Sequence, residues 1–94
     1  MNRVVYRYQL VPHTQAHQLM LPCGAEVLSI GIKPGDSVVS LWALVPKEPL
    51  DEEPLRFWCV GTGWTLPGDA KLEHVGTAIE PESATVWHVF RESE

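Results

Sequence analysis

The stretch "RVVYRYQL", residues 3–10, decides how the rest of the chain is read. Val4, Tyr6, Tyr8 and Leu10 fall at every second position, while Arg3, Arg7 and Gln9 share the other side with Val5. Side chains alternate between the two faces of a strand but repeat every 3.6 residues on a helix, so this spacing predicts a half-buried strand. The same period continues downstream. "HQLML" (17–21) is a short candidate strand ended by Pro22 and the "CGA" turn, and "EVLSIGI" (26–32) puts Leu28, Ile30 and Ile32 on one side. "KPGD" (33–36) is a Pro-Gly turn. "SVVSLWALV" (37–45) then carries apolar groups on both faces, and "PKEPLDEEP" (46–54) reads as an exposed connector of three prolines and five charges. Further strands are expected in "LRFWCVG" (55–61), "KLEHVGTAI" (71–79) and "ATVWHVF" (84–90), separated by the turn-rich "WTLPGDA" and "EPES".

Eight prolines and seven glycines break nearly every window of helical length, leaving "TQAHQLM" (14–20) as the one candidate for a helical turn. Ninety-four residues make one domain with one core. The expectation is a single all-β domain over residues 1–94 with little helix: a small antiparallel β-sandwich, or a barrel-like sheet, of about seven strands.

A small sandwich wets the outer face of each sheet. The strands at 38–45 and 84–90 nevertheless offer large apolar groups on both faces, and Trp42, Trp58 and Trp87 are large rings to leave in water. Their second faces need a cover, either a loop such as the 46–54 connector or another chain. A homo-oligomer, most simply a twofold dimer, is the reading drawn from this, with a loop-covered monomer as its alternative.

The net charge of −5 argues against nucleic acid as a partner, because nonspecific binding needs a surplus of Lys and Arg. No apolar run approaches the roughly 18–20 residues of a membrane span, and "MNRVVYRYQL" lacks the apolar stretch of a signal peptide. A cytoplasmic location is expected. Cys23 and Cys59 stand apart with no CxxC and read as two buried thiols in a reducing compartment, with a disulfide between them as the alternative.

Five stretches in order, "PCGAEVLSI", "LWALVP", "FWCVGTGW", "HVGTAIE" and "VWHVF", are similar to a family of small uncharacterised bacteriophage and prophage proteins. Its pattern runs G-A-x-(V/I)-L-S, L-W-A-L-V-(D)-P, G-T-G-H, (I/V)-G-T and V-F-H-V-F-E. The resemblance covers most of the chain and implies a phage or prophage origin; of chemistry it says little. Trp64 stands where the family usually has His, Trp87 where Phe is usual, and Arg91 in place of the terminal Glu. A catalytic histidine after G-T-G, if the family used one, is missing here.

No catalytic residue, metal-ligand set or cofactor motif stands out. "VGTGW" has the two glycines of an anion-cradling loop, yet the lysine and helix N-terminus of a phosphate loop do not follow. Gly61 and Gly63 more simply supply positive φ at a strand end. His13 and His17 do not converge in a loop or strand. In a hairpin about "EPES", His74 faces Arg91 rather than His88, so no two-histidine site arises. The serines lack a G-x-S-x-G setting, and Cys59 beside Trp58 is poorly placed to lose its proton.

A binding surface is the stronger option. Arg56, Trp58 and Val60 share one face of their strand, as do Thr85, Trp87, Val89 and Arg91 of theirs. Were those faces adjacent, two Trp and two Arg groups would meet with Trp64 at the rim, the residue types enriched at binding hot spots. The candidate binding residues are thus Arg56, Trp58, Thr62, Gly63, Trp64, Trp87 and His88. The leading expectation is a noncatalytic phage accessory protein that self-associates and binds a host or phage protein, with antagonism of host defence as a guess from genomic company. Its alternatives are a binder of a small anionic ligand such as a nucleotide and, third, a small hydrolase.

Overall fold

A computed structural model describes residues 2–48 and 51–93. The strands are β1 (Arg3–Leu10), β2 (His17–Pro22), β3 (Glu26–Gly31), β4 (Val39–Pro46), β5 (Glu52–Gly61), β6 (Lys71–Ile79) and β7 (Val86–Ser93). All ladders are antiparallel. They form a three-stranded sheet ordered β1-β4-β3 and a four-stranded sheet ordered β2-β5-β7-β6. The small all-β sandwich expected from the sequence is the fold, and residues 14–20 run through a bend into β2 rather than into a helical turn. Among the described residues no helix is long and apolar enough to cross a membrane.

The period-two pattern places the core. Val39, Leu41, Ala43 and Val45 of β4 are fully buried and cluster with Leu10, Leu21, Phe57, Cys59 and Val89. Each fully buried Leu, Val or Phe in such a cluster contributes roughly 1.5–3 kcal/mol.

Two strands depart from the expected pattern. A bulge between Val27 and Ser29 sets Val27 opposite Ala43 and Ile30 opposite Leu41. Leu28 is the extra residue and is 48% exposed, so Leu28, Ile30 and Ile32 do not share a face. One inserted residue reverses the alternation beyond it. Further along, β5 begins at Glu52, so the acidic end of the expected connector is strand; Pro49 and Leu50 lie outside the described residues. Here β5 is shared lengthwise: β2 pairs with Glu52–Phe57 and β7 with Arg56–Gly61. The Cys23 N–H donates to the Asp51 carbonyl at 2.9 Å, so Asp51 faces β2 and, by alternation, Pro54 faces away. That edge lies beyond the last β7 partner, where a missing N–H breaks no ladder bond.

The outer face of β5 lies beside the loop that follows it. Pro67, Asp69 and Ala70 border Trp58, whose exposure falls to 6%.

Cys59 is buried as expected, but Cys23 is exposed in the β2–β3 turn, and both are free thiols. The hairpin turn after Pro22 puts Cys23 outside the core. Burial pushes the Cys59 thiol up to about 11. The unfolded chain would ionise this thiol first, so stability is lost as pH rises from about 9 toward 11. A thiol reagent at neutral pH is expected to titrate one cysteine in the native protein and the second only on unfolding; two fast thiols would contradict this packing.

The β6–β7 hairpin closes through Glu80 N–H to the Thr85 carbonyl and Ala84 N–H to the Glu80 carbonyl, both 2.8 Å. Ala84 sits at φ 58, a left-handed conformation that crowds its Cβ. Replacing Ala84 with Gly is expected to raise stability by about 0.5–1 kcal/mol, the relieved strain exceeding the entropy of a freer unfolded chain. Thermal melting checks this, and a lower Tm would refute it.

Candidate binding surface

Residues directly opposite across an antiparallel ladder lie on the same face. The β5–β7 register sets Arg56 opposite Glu92, Trp58 opposite Phe90 and Val60 opposite His88. Those groups share the outer face of the four-stranded sheet. Phe57, Cys59 and Gly61 face Arg91, Val89 and Trp87, on the side of the core to which Cys59 and Val89 belong. Trp58 and Trp87 therefore lie on opposite faces, and the expected patch of two Trp and two Arg groups does not form. A single step of register parity decides this.

Three smaller constellations replace that patch. In the first, the Trp58 Nε1–H donates to Glu92 Oε1 at 2.8 Å, and Arg56 Nε pairs with Glu92 Oε2 at 3.2 Å. One carboxylate thus fixes the indole and balances the guanidinium. A shallow groove of about 490 Å³ runs beside them, lined also by Pro67, Asp69 and Lys71. Two cations and two anions leave it without net charge.

The second is the "GTGW" turn. The Trp64 N–H donates to the Gly61 carbonyl at 3.1 Å, and Gly63 has φ 89, as the third position of a type II turn requires. Gly61 does not have positive φ; space is what it provides. A Cβ there would come 2.9 Å from Trp64 Nε1 and 3.3 Å from Trp87 Cζ3. The two rings meet edge to face, with centroids 5.6 Å apart and planes at 82°. Trp64 remains 42% exposed, which leaves it at the rim.

The third is a hydrogen-bonded chain. Thr62 Oγ1 is 2.7 Å from His88 Nε2, and Thr77 Oγ1 is 3.1 Å from His88 Nδ1 and 3.0 Å from His74 Nε2. Two hydroxyls thus bracket one imidazole, and a second imidazole terminates the series. Each hydroxyl can donate or accept, so both His88 ring nitrogens have a partner in either tautomer. The bulge at Val75 makes this possible. Opposed residues follow the hairpin spacing as far as Gly76–Val89, but His74 then meets Phe90 rather than Arg91. The shift turns His74 and Thr77 to the same outer face. His13 and His17 do approach, their ring centroids 6.1 Å apart. Each ring nevertheless serves the loop: His13 Nδ1 accepts from the Gln15 N–H, and His17 donates to the Val11 carbonyl.

All seven expected residues thus lie in or beside these constellations, in three groups rather than one. Glu92, Thr77 and His74 were not foreseen. Thr77 was within reach, since the same hairpin spacing that separates His74 from His88 sets Thr77 opposite His88. Nothing in the sequence marks the bulge that brings His74 in.

The fold and surface define a small β-sandwich with a Trp64–Trp87 pair at the rim of its core side and a histidine–threonine chain on the outer face of its four-stranded sheet. Residues 1–94 match the family described as Domain of unknown function (DUF7352), and the chain belongs to that family. No curated protein and no solved structure matches it.

Replacing Gly61 with Ala is expected to cost about 1–3 kcal/mol by overpacking the two indoles and to alter the tryptophan near-UV circular dichroism. Adding Trp64→Ala to that variant should return part of the loss, and a double-mutant cycle with no coupling would contradict the contact.

Proposed function

We propose that this chain is a noncatalytic accessory protein of phage or prophage origin, a self-associating β-module that works in the host cytoplasm by binding a host or phage protein. Antagonism of host defence is the setting proposed for it. The observation that carries this reading is the outer face of the three-stranded sheet. Val5 and Leu28 are 49% and 48% exposed there, and Leu44 and Trp42 between them are only half-buried. The register sets Val5 beside Leu44, Leu44 beside Glu26, and Arg7 beside Trp42. Neighbouring apolar groups rimmed by charge suit a protein interface.

The four-stranded sheet supports the nucleotide alternative less well. Its Arg56 is balanced by Glu92, and the Trp58 ring is covered, leaving no open stacking face on that ring. One observation favours the hydrolase as a second reading: Thr62 and His88 are a hydroxyl–imidazole pair at 2.7 Å, the geometry of a nucleophile and its base.

Light scattering at high micromolar concentration is expected to give a mass above that of one chain, and a strictly monomeric mass would remove self-association. Millimolar nucleotides should leave the Tm unmoved, whereas a saturable rise would restore the anionic ligand by mass action. Turnover of an activated ester, lost in both Thr62→Val and His88→Ala, would promote the hydrolase.

A further inference from the structure

We infer that two copies of this chain join through β1, antiparallel about a twofold axis at Tyr6, so that the two three-stranded sheets become one of six strands. The inference rests on the self-association proposed above and supplies its surface and register. β1 ends its sheet and pairs only with β4 among the described residues. Exposed edges are usually guarded by proline, a bulge, shortness, inward charge or charged side chains along the edge, and of these β1 carries only the last, at Arg3 and Arg7. β1 has eight residues, an unbroken register and no proline, and its charges, Arg3 and Arg7, point outward.

Backbone direction on the free edge follows from one bond. The Lys47 N–H donates to the Asn2 carbonyl at 3.0 Å, so Asn2 faces β4 and, by alternation, so do Val4, Tyr6, Tyr8 and Leu10. Pro46, opposite Arg3, agrees, since it has no N–H to give. Arg3, Val5, Arg7 and Gln9 therefore turn their N–H and C=O groups to the open side.

Charge then selects the register. One twofold pairing sets Arg3 opposite the partner's Arg7, and another sets Arg7 opposite the partner's Arg7; both place like charges face to face, which destabilises a ladder. The pairing between them sets Arg3 opposite the partner's Gln9 and Val5 opposite the partner's Arg7, with no clash. It also makes the most backbone hydrogen bonds of the three, about eight between Arg3 and Gln9, by the ordinary antiparallel pattern. On the other face Tyr6, 49% exposed in a single chain, meets the partner's Tyr6 at the axis. The join also merges the two apolar outer faces into one surface.

Disulfide trapping reads the register directly. Tyr6 would form a non-hydrogen-bonded pair with its copy, with Cα atoms about 4.5 Å apart, within reach of a disulfide. In a Cys23→Ser background, Tyr6→Cys is expected to form a covalent dimer under mild oxidation. Val4→Cys should not link to itself but should link to Tyr8→Cys when the two are mixed. Val5→Pro removes an N–H from the open edge and none from the β4 ladder, so it should fold with unchanged circular dichroism and run as a monomer. A wild-type chain monomeric at high micromolar concentration would overturn self-association and this interface together. A wild-type dimer whose Tyr6→Cys variant fails to cross-link would overturn the β1 interface alone, and a dimeric Val5→Pro protein would do the same.

Discussion

Val39, Leu41, Ala43 and Val45 of β4 lie in one dry cluster with Phe57 and Cys59 of β5 and Val89 of β7. Contact between these inner faces holds the two sheets together. Burying every second residue of β4 fixes which way its other residues point, and so fixes the outer face on which Ser40, Trp42 and Leu44 stand. It also fixes the pleat of β1 and β3 on either side, because a one-residue slip would carry Leu41 into water and Trp42 into the core. The outward display of Val5 and Arg7 follows from packing on the opposite side of the sheet.

Much of the architecture was legible because period two is a local signal. "RVVYRYQL" announced itself by alternation and the middle and last strands as short apolar runs between turn residues. Legibility failed where alternation breaks or where a strand carries polar groups. The extra residue at Leu28 looks like any other apolar position in sequence, since a bulge is defined by the partner strand and not by the residue itself. Glu52–Pro54 read as connector from composition, yet they pair with β2 because the chain needs a ladder for Leu21, which is fully buried. Tertiary demand outweighed local preference there.

The candidate surface was legible in its parts but not in its assembly. Thr62, Trp64, Trp87 and His88 were singled out by residue type and position. What joins them is register, a relation between distant strands. Thus Trp58 and Trp87 share a strand-wise rhythm yet lie back to back across the sheet, while Thr62, Thr77 and His88, from three of the motif stretches, meet in one hydrogen-bonded chain. Glu92 gains its role only because the β7 register brings it beside Arg56 and Trp58. Its carboxylate holds two side chains of the neighbouring strand.

The order in which strands appear during synthesis gives β1 one more property. Its ladder partner β4 ends at Pro46, so the first strand must wait for the rest of that segment before it has anything to pair with. At ribosomal rates of about 5–20 residues per second the wait lasts on the order of seconds, far longer than the microseconds of a hairpin. Throughout that time both edges of "RVVYRYQL" are open. A nascent neighbour on the same message would present the same open strand, and Arg3 and Arg7 of each chain are like charges that oppose pairing of the two.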